Sequence, residues 1–346
     1  MARPSRPVVP GPRLPAESGA SLRLADAHAD SLMWNRPLAQ RLGRGHVDFP
    51  RLADAGVALQ CFTIVTDGFP IVGGFAAFAR WRRWPRAARR SPWTRCRFQI
   101  ELLEEACAAS GGRAAIATDA AGLDANLAAG RLSAVLGVEG GQALEGRVER
   151  VEALHRAGVR FMSLTHLRGN ALGGTSSPGL ARARQGLTSL GREVVAEMVR
   201  VGMSVDVSHA SPRLLEDLLA VPGVRLMCSH TGVRGVTRSF RNLDDDVLRE
   251  IARRGGVAGI ILAPIYLGAR GLDAVARHVE HALAVMGEAC VGLGSDHDGM
   301  VALPRGMRDV RDLPRLAVLL RERGLPEPVV RGVMGENWIR FFRESL

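Results

Sequence analysis

The segment from Gly191 to His230, GREVVAEMVRVGMSVDVSHASPRLLEDLLAVPGVRLMCSH, limits the folds open to this chain more than any other stretch. Two apolar runs, Met203 to Val207 and Val224 to Cys228, each read as a buried strand, and each is followed at once by Ser-His. Between them Ser211-Pro212 and the leucine-rich run to Ala220 predict a capped helix with proline at its first position. A strand, helix, strand unit joins parallel strands, so His209 and His230 fall at the same, C-terminal, edge of one sheet. Two imidazoles delivered from adjacent strand ends suit a metal site, although either alone reads better as a hydrogen-bonded histidine capping a strand end.

Six further runs repeat the theme. Strands are predicted at Leu22–Ala27, Val57–Ile64, Leu132–Val138, Val159–Leu164, Val257–Leu262 and Cys290–Gly294, with helical segments between them. Eight strands alternating with helices predict an α/β chain, specifically a (β/α)8 TIM barrel. In 346 residues this gives a barrel domain over 22–346, closed by C-terminal helices near Leu313–Arg323 and Pro328–Phe342. The Pro-, Gly- and Ser-rich residues 1–21 are expected to form a flexible N-terminal arm. A doubly wound nucleotide-binding sheet is disfavoured: no GxGxxG follows the first strand, and a chain without lysine cannot carry a GxxxxGK[ST] loop. The glycine- and serine-rich stretch Gly169–Gly186 is long enough to be a lid or site loop.

Composition adds exclusions. The net charge of +11 comes entirely from arginine, which points to a GC-rich coding bias more than to an anionic partner. Its one concentration, Arg80–Arg97, interleaves Trp81, Trp84 and Trp93 and could stack on bases, but reads first as a solvated helix-and-loop excursion, so no nucleic-acid partner is expected. Five cysteines without a close CxxC pair argue for reduced thiols. There is no run of the roughly 18 apolar residues that spans a membrane, and no apolar signal segment before Asp26, so the expectation is a cytoplasmic protein without a membrane anchor. A homodimer is compatible with the sequence.

The polar residues at the strand ends carry the chemistry. His28 and Asp30 follow the first strand, Glu139 the third, His166 the fourth, His209 the fifth, His230 the sixth, and Asp296 with Asp298 the eighth. In a barrel these ends converge on one face. Each residue has a bland reading as a cap or a turn, but their joint placement does not. Three imidazoles and two carboxylates, with no thiolate, fit zinc, with manganese or cobalt as substitutes. Five ligands exceed one tetrahedral site. They predict two Zn2+ per chain, with His28 and Asp30 on one ion, His209 and His230 on the other, and Glu139 between them. Two metals about 3.5–4 Å apart can share a hydroxide, lowering its pKa and aiming it at a carbonyl carbon or a phosphorus, which predicts hydrolysis.

The same residues in the same surroundings resemble the membrane dipeptidase (renal dipeptidase) family of zinc metallopeptidases within the amidohydrolase-like barrels. The matching stretches are DAHAD at Asp26–Asp30, GVEGG at Gly137–Gly141, SLTH at Ser163–His166 with Asn170 after it, the Gly191–His209 run, SHTGVRG from Ser229, RSFRN at Arg238–Asn242, and GLGSDHDG at Gly292–Gly299. The resemblance extends from about Leu24 to Glu336-Asn337-Trp338. It implies a small dipeptide substrate with tolerance of a D-residue at its C-terminal position. It implies that His166 contacts the substrate and stabilises the tetrahedral intermediate, that Arg241 binds the terminal carboxylate, that Asn170 is at the substrate, and that Asp296 moves protons. Arg238 is a nearby alternative to Arg241. Departures are Ala29 where many relatives have Asn, His297 where many have Phe, and the Arg/Trp excursion. The alternatives are hydrolysis of another amide, a lactone or a β-lactam on the same centre, or a non-catalytic barrel that binds acidic partners through Arg80–Arg97.

Overall fold

Nine parallel strands, and the helices between them, account for the architecture of the computed structural model, which describes residues 22–67, 74–178 and 185–346. They are β1 (Leu24–Ala29), β2 (Val57–Val65), β3 (Ala114–Ile116), β4 (Leu132–Glu139), β5 (Val159–Ser163), β6 (Ser204–Asp206), β7 (Leu226–Thr231), β8 (Ala258–Ile260) and β9 (Val291–Leu293). Eight of them close on themselves in the order β1, β2, β4, β5, β6, β7, β8, β9, with Asp26 opposite Leu293 sealing the ring. This is a (β/α)8 barrel in one domain. The proposed arm, 1–21, lies outside the described residues.

The sequence reading misses one strand. β3 pairs with the start of β4, Ala114 opposite Leu132 through Ile116 opposite Ala134, and stands outside the eight-membered ring. Three residues, Ala-Ala-Ile, are too few to show a period, so only the partner reveals it. In the ring β2 pairs directly with β4 over Leu59–Val65 and Ser133–Glu139, the longest register in the sheet.

The Arg/Trp excursion is also more ordered than expected. A helix spans Pro92–Ala108, its start fixed by the reciprocal capping box that Ser91 and Thr94 form. Met33, Val65, Phe75, Phe78 and Trp84 make a small separate core over the ends of β1 and β2. The Trp84 indole donates to the Met33 carbonyl, Arg82 to the Trp34 carbonyl, and buried Arg95 to the Thr66 carbonyl. Arg82 also lies 5.3 Å from the Trp34 ring and 5.0 Å from that of Trp81. These cations are used inside the fold, and of the interleaved tryptophans Trp81 is the exposed one, at 64%.

The main apolar cluster lies between the barrel and its helices, and a second unites Ala25, Ala27, Leu59, Cys61 and Phe161 with Trp338, Phe341 and Phe342 of the C-terminal helix Asn337–Ser345. Gly292 permits that contact: a Cβ there would come within 2.3 Å of the Trp338 indole nitrogen, which instead donates to the Leu293 carbonyl. Among the described residues no helix is long and apolar enough to cross a membrane.

Candidate metal centre

Short strands that end in mixed polar residues aim those residues into one space. Glu139 Oε1, from the end of β4, lies 2.9 Å from His209 Nε2, 3.5 Å from His230 Nε2 and 3.6 Å from His28 Nε2. Asp30 Oδ1 is 3.5 Å from the same His28 nitrogen and accepts from the Thr63 hydroxyl at 2.6 Å. His209 and His230 face each other Nε2 to Nε2 at 3.2 Å. All five side chains are buried. Donor atoms this dense, drawn from β1, β4, β6 and β7, are the expected ligand group brought together.

The cluster's own chemistry suits cations. His28 Nε2 and Glu139 Oε2 are buried without a hydrogen-bond partner, a costly state unless something else engages them. The distal nitrogens of His28 and His230 are committed elsewhere, whereas that of His209 is buried without a hydrogen-bond partner. Ser229 Oγ lies 3.0 Å from His28 Nδ1 and 2.9 Å from His230 Nδ1, and donates its own proton to Asp206 Oδ2 at 2.6 Å. With Nδ1–H donated to the serine, each imidazole turns the lone pair of Nε2 inward, as a ligand must. Asp206 also accepts from the backbone N–H groups of Ser208 and Ser229.

Charge follows the same logic. Burial by itself would lower His28, but Glu139, Asp30 and Asp296 lift it to about 10, so a proton there stands where positive charge is demanded. Burial, together with Arg241 and the neighbouring imidazoles, holds His209 and His230 well below the usual histidine range, leaving them neutral. Burial raises Glu139, only partly offset by His166. Asp296 is pushed well up by burial and by Asp30 and Glu139, with His28 opposing. Divalent cations among these groups would reverse both shifts.

His209, Asp296 and Asp298 have left-handed backbones, with φ of 65, 61 and 63°. The first is braced by the loop after β5: Ser176 N–H donates to the His209 carbonyl at 2.8 Å, and Thr175 pairs with Ala210. That is the role found for the described part of the predicted site loop, whose residues 179–184 lie outside the described structure. Asp296 is held by its own N–H donating to the His28 carbonyl and by Gly299, where a Cβ would meet Asp296 Oδ1 at 1.9 Å.

The remaining predicted residues divide. His166 Nε2 faces Glu139 Oε2 at 3.3 Å, and its Nδ1 is 3.3 Å from the Asp67 carbonyl. Arg241 is buried, with Nη2 2.6 Å from His230 Nε2 and 2.9 Å from the His230 carbonyl, whereas Arg238 is exposed. Of these two candidates it is Arg241 that stands at the centre. Asn170 spends its amide on the Leu164 carbonyl and Gln142, and its carbonyl accepts from Leu172 N–H, which braces the loop. Asp298 turns away: it pairs with Arg36 at 2.5 Å and accepts from Ser31 and the His46 backbone, tying the segment after β1 to the end of β9. Burial would raise its carboxyl, but Arg36 and these donors keep it below the usual carboxylate range. His297 is fully buried with Nδ1 3.8 Å from Asp26, behind the centre.

Asp206, Ser229 and Asp26 are the residues sequence reasoning did not assign. Asp26 accepts from the Ser295 N–H and hydroxyl and from Gln60, locking β1 to β2 and β9 beneath His28. A buried aspartate inside an apolar strand, as in LADAHA or SVD, was the available signal. Asp206→Ala should weaken metal binding by roughly 10–100-fold, the range for losing such a supporting partner, measured as chelator-competed zinc affinity; unchanged affinity would remove the serine–aspartate pair from the centre.

A cleft of about 1060 Å3 reaches His209 and Arg241 from solvent. The loop on its wall is fixed by His278, whose Nδ1 accepts from Val233 N–H at 2.8 Å; burial lowers this histidine to about 4, so it serves as a neutral acceptor. The Asn242 amide donates to the Thr237 and Tyr266 carbonyls on either side.

Known proteins resemble the chain over most of its length. The chain is 31% identical over 253 residues to Dipeptidase 3 of Macaca fascicularis, an alignment covering 71% of this chain and 51% of that protein, so it spans about half the length of this curated relative. Its structure superimposes on that of a metallo peptidase from Rhodobacter sphaeroides liganded with a phosphinate mimic of the dipeptide L-Ala-D-Ala, with a TM-score of 0.81, 28% identity, and coverage of 94% of this chain and 99% of the other. A second crystal structure, that of the dipeptidase AC, a metallo peptidase of family M19, gives 0.80 at 28% identity over 94% and 98%. Residues 19–345 match the family model described as membrane dipeptidase, and the chain belongs to that family, peptidase family M19.

Proposed function

We propose that this protein is a metal-dependent dipeptidase that hydrolyses the peptide bond of dipeptides, those with a D-residue at the C-terminal position included, on two zinc ions held by His28, Asp30, Glu139, His209 and His230. The observation that carries the reading is the convergence on Glu139 Oε1 of three imidazole Nε2 atoms within 3.6 Å. Support for the substrate comes from the Rhodobacter sphaeroides relative, which is liganded with a dipeptide mimic. Zinc bound there would supply a water acidified to a pKa near about 7 and a polarised scissile carbonyl.

The chain's own residues do the rest. Arg241 offers a planar fork that fits a carboxylate in two parallel hydrogen bonds, which restricts substrates to short peptides with a free C-terminus. Its Nη2 now competes for the His230 Nε2 lone pair, and a ligated His230 would release it toward the cleft. His166, on the far side of Glu139, is positioned to donate to a carbonyl oxygen as negative charge develops. Asp296 takes a proton and passes it to the leaving amine. Asn170 serves by bracing the loop.

Metal analysis coupled to a hydrolysis panel tests this. About two zinc ions per chain are expected, with cleavage of L-Xaa-L-Xaa or L-Xaa-D-Xaa dipeptides and little or no cleavage of the same dipeptides amidated at the C-terminus. Less than one metal per chain, or a loaded enzyme that leaves the whole panel intact, would sink the proposal.

A further inference from the structure

The cleft leading to the centre is ringed by charged side chains, and nearly all are paired. Asp244 faces Arg234 at 3.5 Å, Asp245 faces His281 at 3.0 Å, and Asp246 faces Arg249 at 2.6 Å. Glu216 is 3.0 Å from Arg213, and Arg241 is bonded to His230. Arg238 is different. It lines the same cleft, is exposed, and has no carboxylate within salt-bridge distance among the described residues. It stands three residues before Arg241 on the loop that His278 and Asn242 fix from both sides. The backbone from which Arg238 projects is therefore fixed at the cleft wall.

We infer that Arg238 is a specificity-determining residue that selects dipeptides whose C-terminal residue bears a side-chain carboxylate, aspartate or glutamate of either configuration. The inference rests on the reading that Arg241 holds the terminal carboxylate. Arg238 and Arg241 line the same cleft, so a C-terminal side chain extending along it from the anchored carboxylate would meet Arg238. A second carboxylate supplies the missing partner, an amide side chain does not, and a basic one is repelled. The attraction acts across solvent, so it is screened by salt.

The test compares kcat/KM for Ala-Glu and Ala-Gln, an isosteric pair, in both C-terminal configurations, with the zinc-loaded wild type, Arg238→Gln and Arg238→Glu. The expected wild-type ratio favours Ala-Glu, falls about fivefold in Arg238→Gln, near the upper end of what an exposed ion pair contributes, and inverts in Arg238→Glu. The preference should shrink as ionic strength rises. Zinc content equal to wild type in each variant shows that the centre is intact. A wild-type ratio near one, or a ratio that Arg238→Gln leaves unmoved while Ala-Gln is still hydrolysed, overturns the inference alone. No hydrolysis of any dipeptide overturns it together with the dipeptidase reading.

Discussion

Glu139→Gln is expected to lower the zinc content from about two ions per chain to below one and to reduce kcat/KM by roughly 10^3 or more, several kcal/mol of metal-supplied stabilisation at about tenfold per 1.4 kcal/mol. The reason is position. Oε1 is the atom shared by His28, His209 and His230, and Oε2 is a buried oxygen without a hydrogen-bond partner. Glutamine has nearly the same shape, so the fold should persist. It replaces a charge that two cations would share with a neutral dipole, and turns either an N–H or a weaker acceptor toward three lone pairs. Metal analysis after dialysis, with circular dichroism to confirm folding, decides the matter. A folded variant that keeps both ions would show that Glu139 is not the bridge.

Asp296→Asn separates two roles that geometry leaves side by side. Asp296 belongs to a potential donor group with His28 and Asp30, their ligand atoms within 4.8 Å of one another, and so could hold metal or carry protons. The proton role predicts unchanged zinc content with kcat reduced by about 10^3, within the 10^2–10^4 range of general acid–base catalysis. Loss of one ion in parallel with activity would instead make Asp296 a ligand. Asparagine tests this cleanly because Gly299 packs against the Asp296 carboxylate and the left-handed backbone at 296 tolerates asparagine.

How far the chain could be read without coordinates depended on whether a signal was local. The strand-then-histidine units at His209 and His230 were legible because an apolar run followed by Ser-His shows a strand and what it presents, although β7 runs on through His230 to Thr231. β3 was not, since three residues of Ala-Ala-Ile owe their strand to β4 alone. The start of the helix at Pro92 is written in Ser91-Pro92, within a run whose arginines and tryptophans read first as a solvated excursion. Asp298 shows a different limit. A carboxylate just past a strand end can face the centre or the flanking loop, and spacing does not distinguish them; Arg36, 262 residues away in sequence, does. His297 was undecided from sequence for the same reason, and packing puts it behind β1 with Asp26. Ser229 carries no signal of its own beside His230, although its hydroxyl serves two imidazoles at once.

The left-handed residues around the centre set stability and function against each other. A side chain in that conformation costs on the order of 1 kcal/mol, a strain glycine would relieve. At 209 and 296 the chain keeps histidine and aspartate, whose side chains point into the cluster. Selection for heat resistance alone would therefore drift toward glycine at these positions and silence the protein while hardening it. A lineage under both pressures must find its stability elsewhere, in the helices and the closing Trp338 contact.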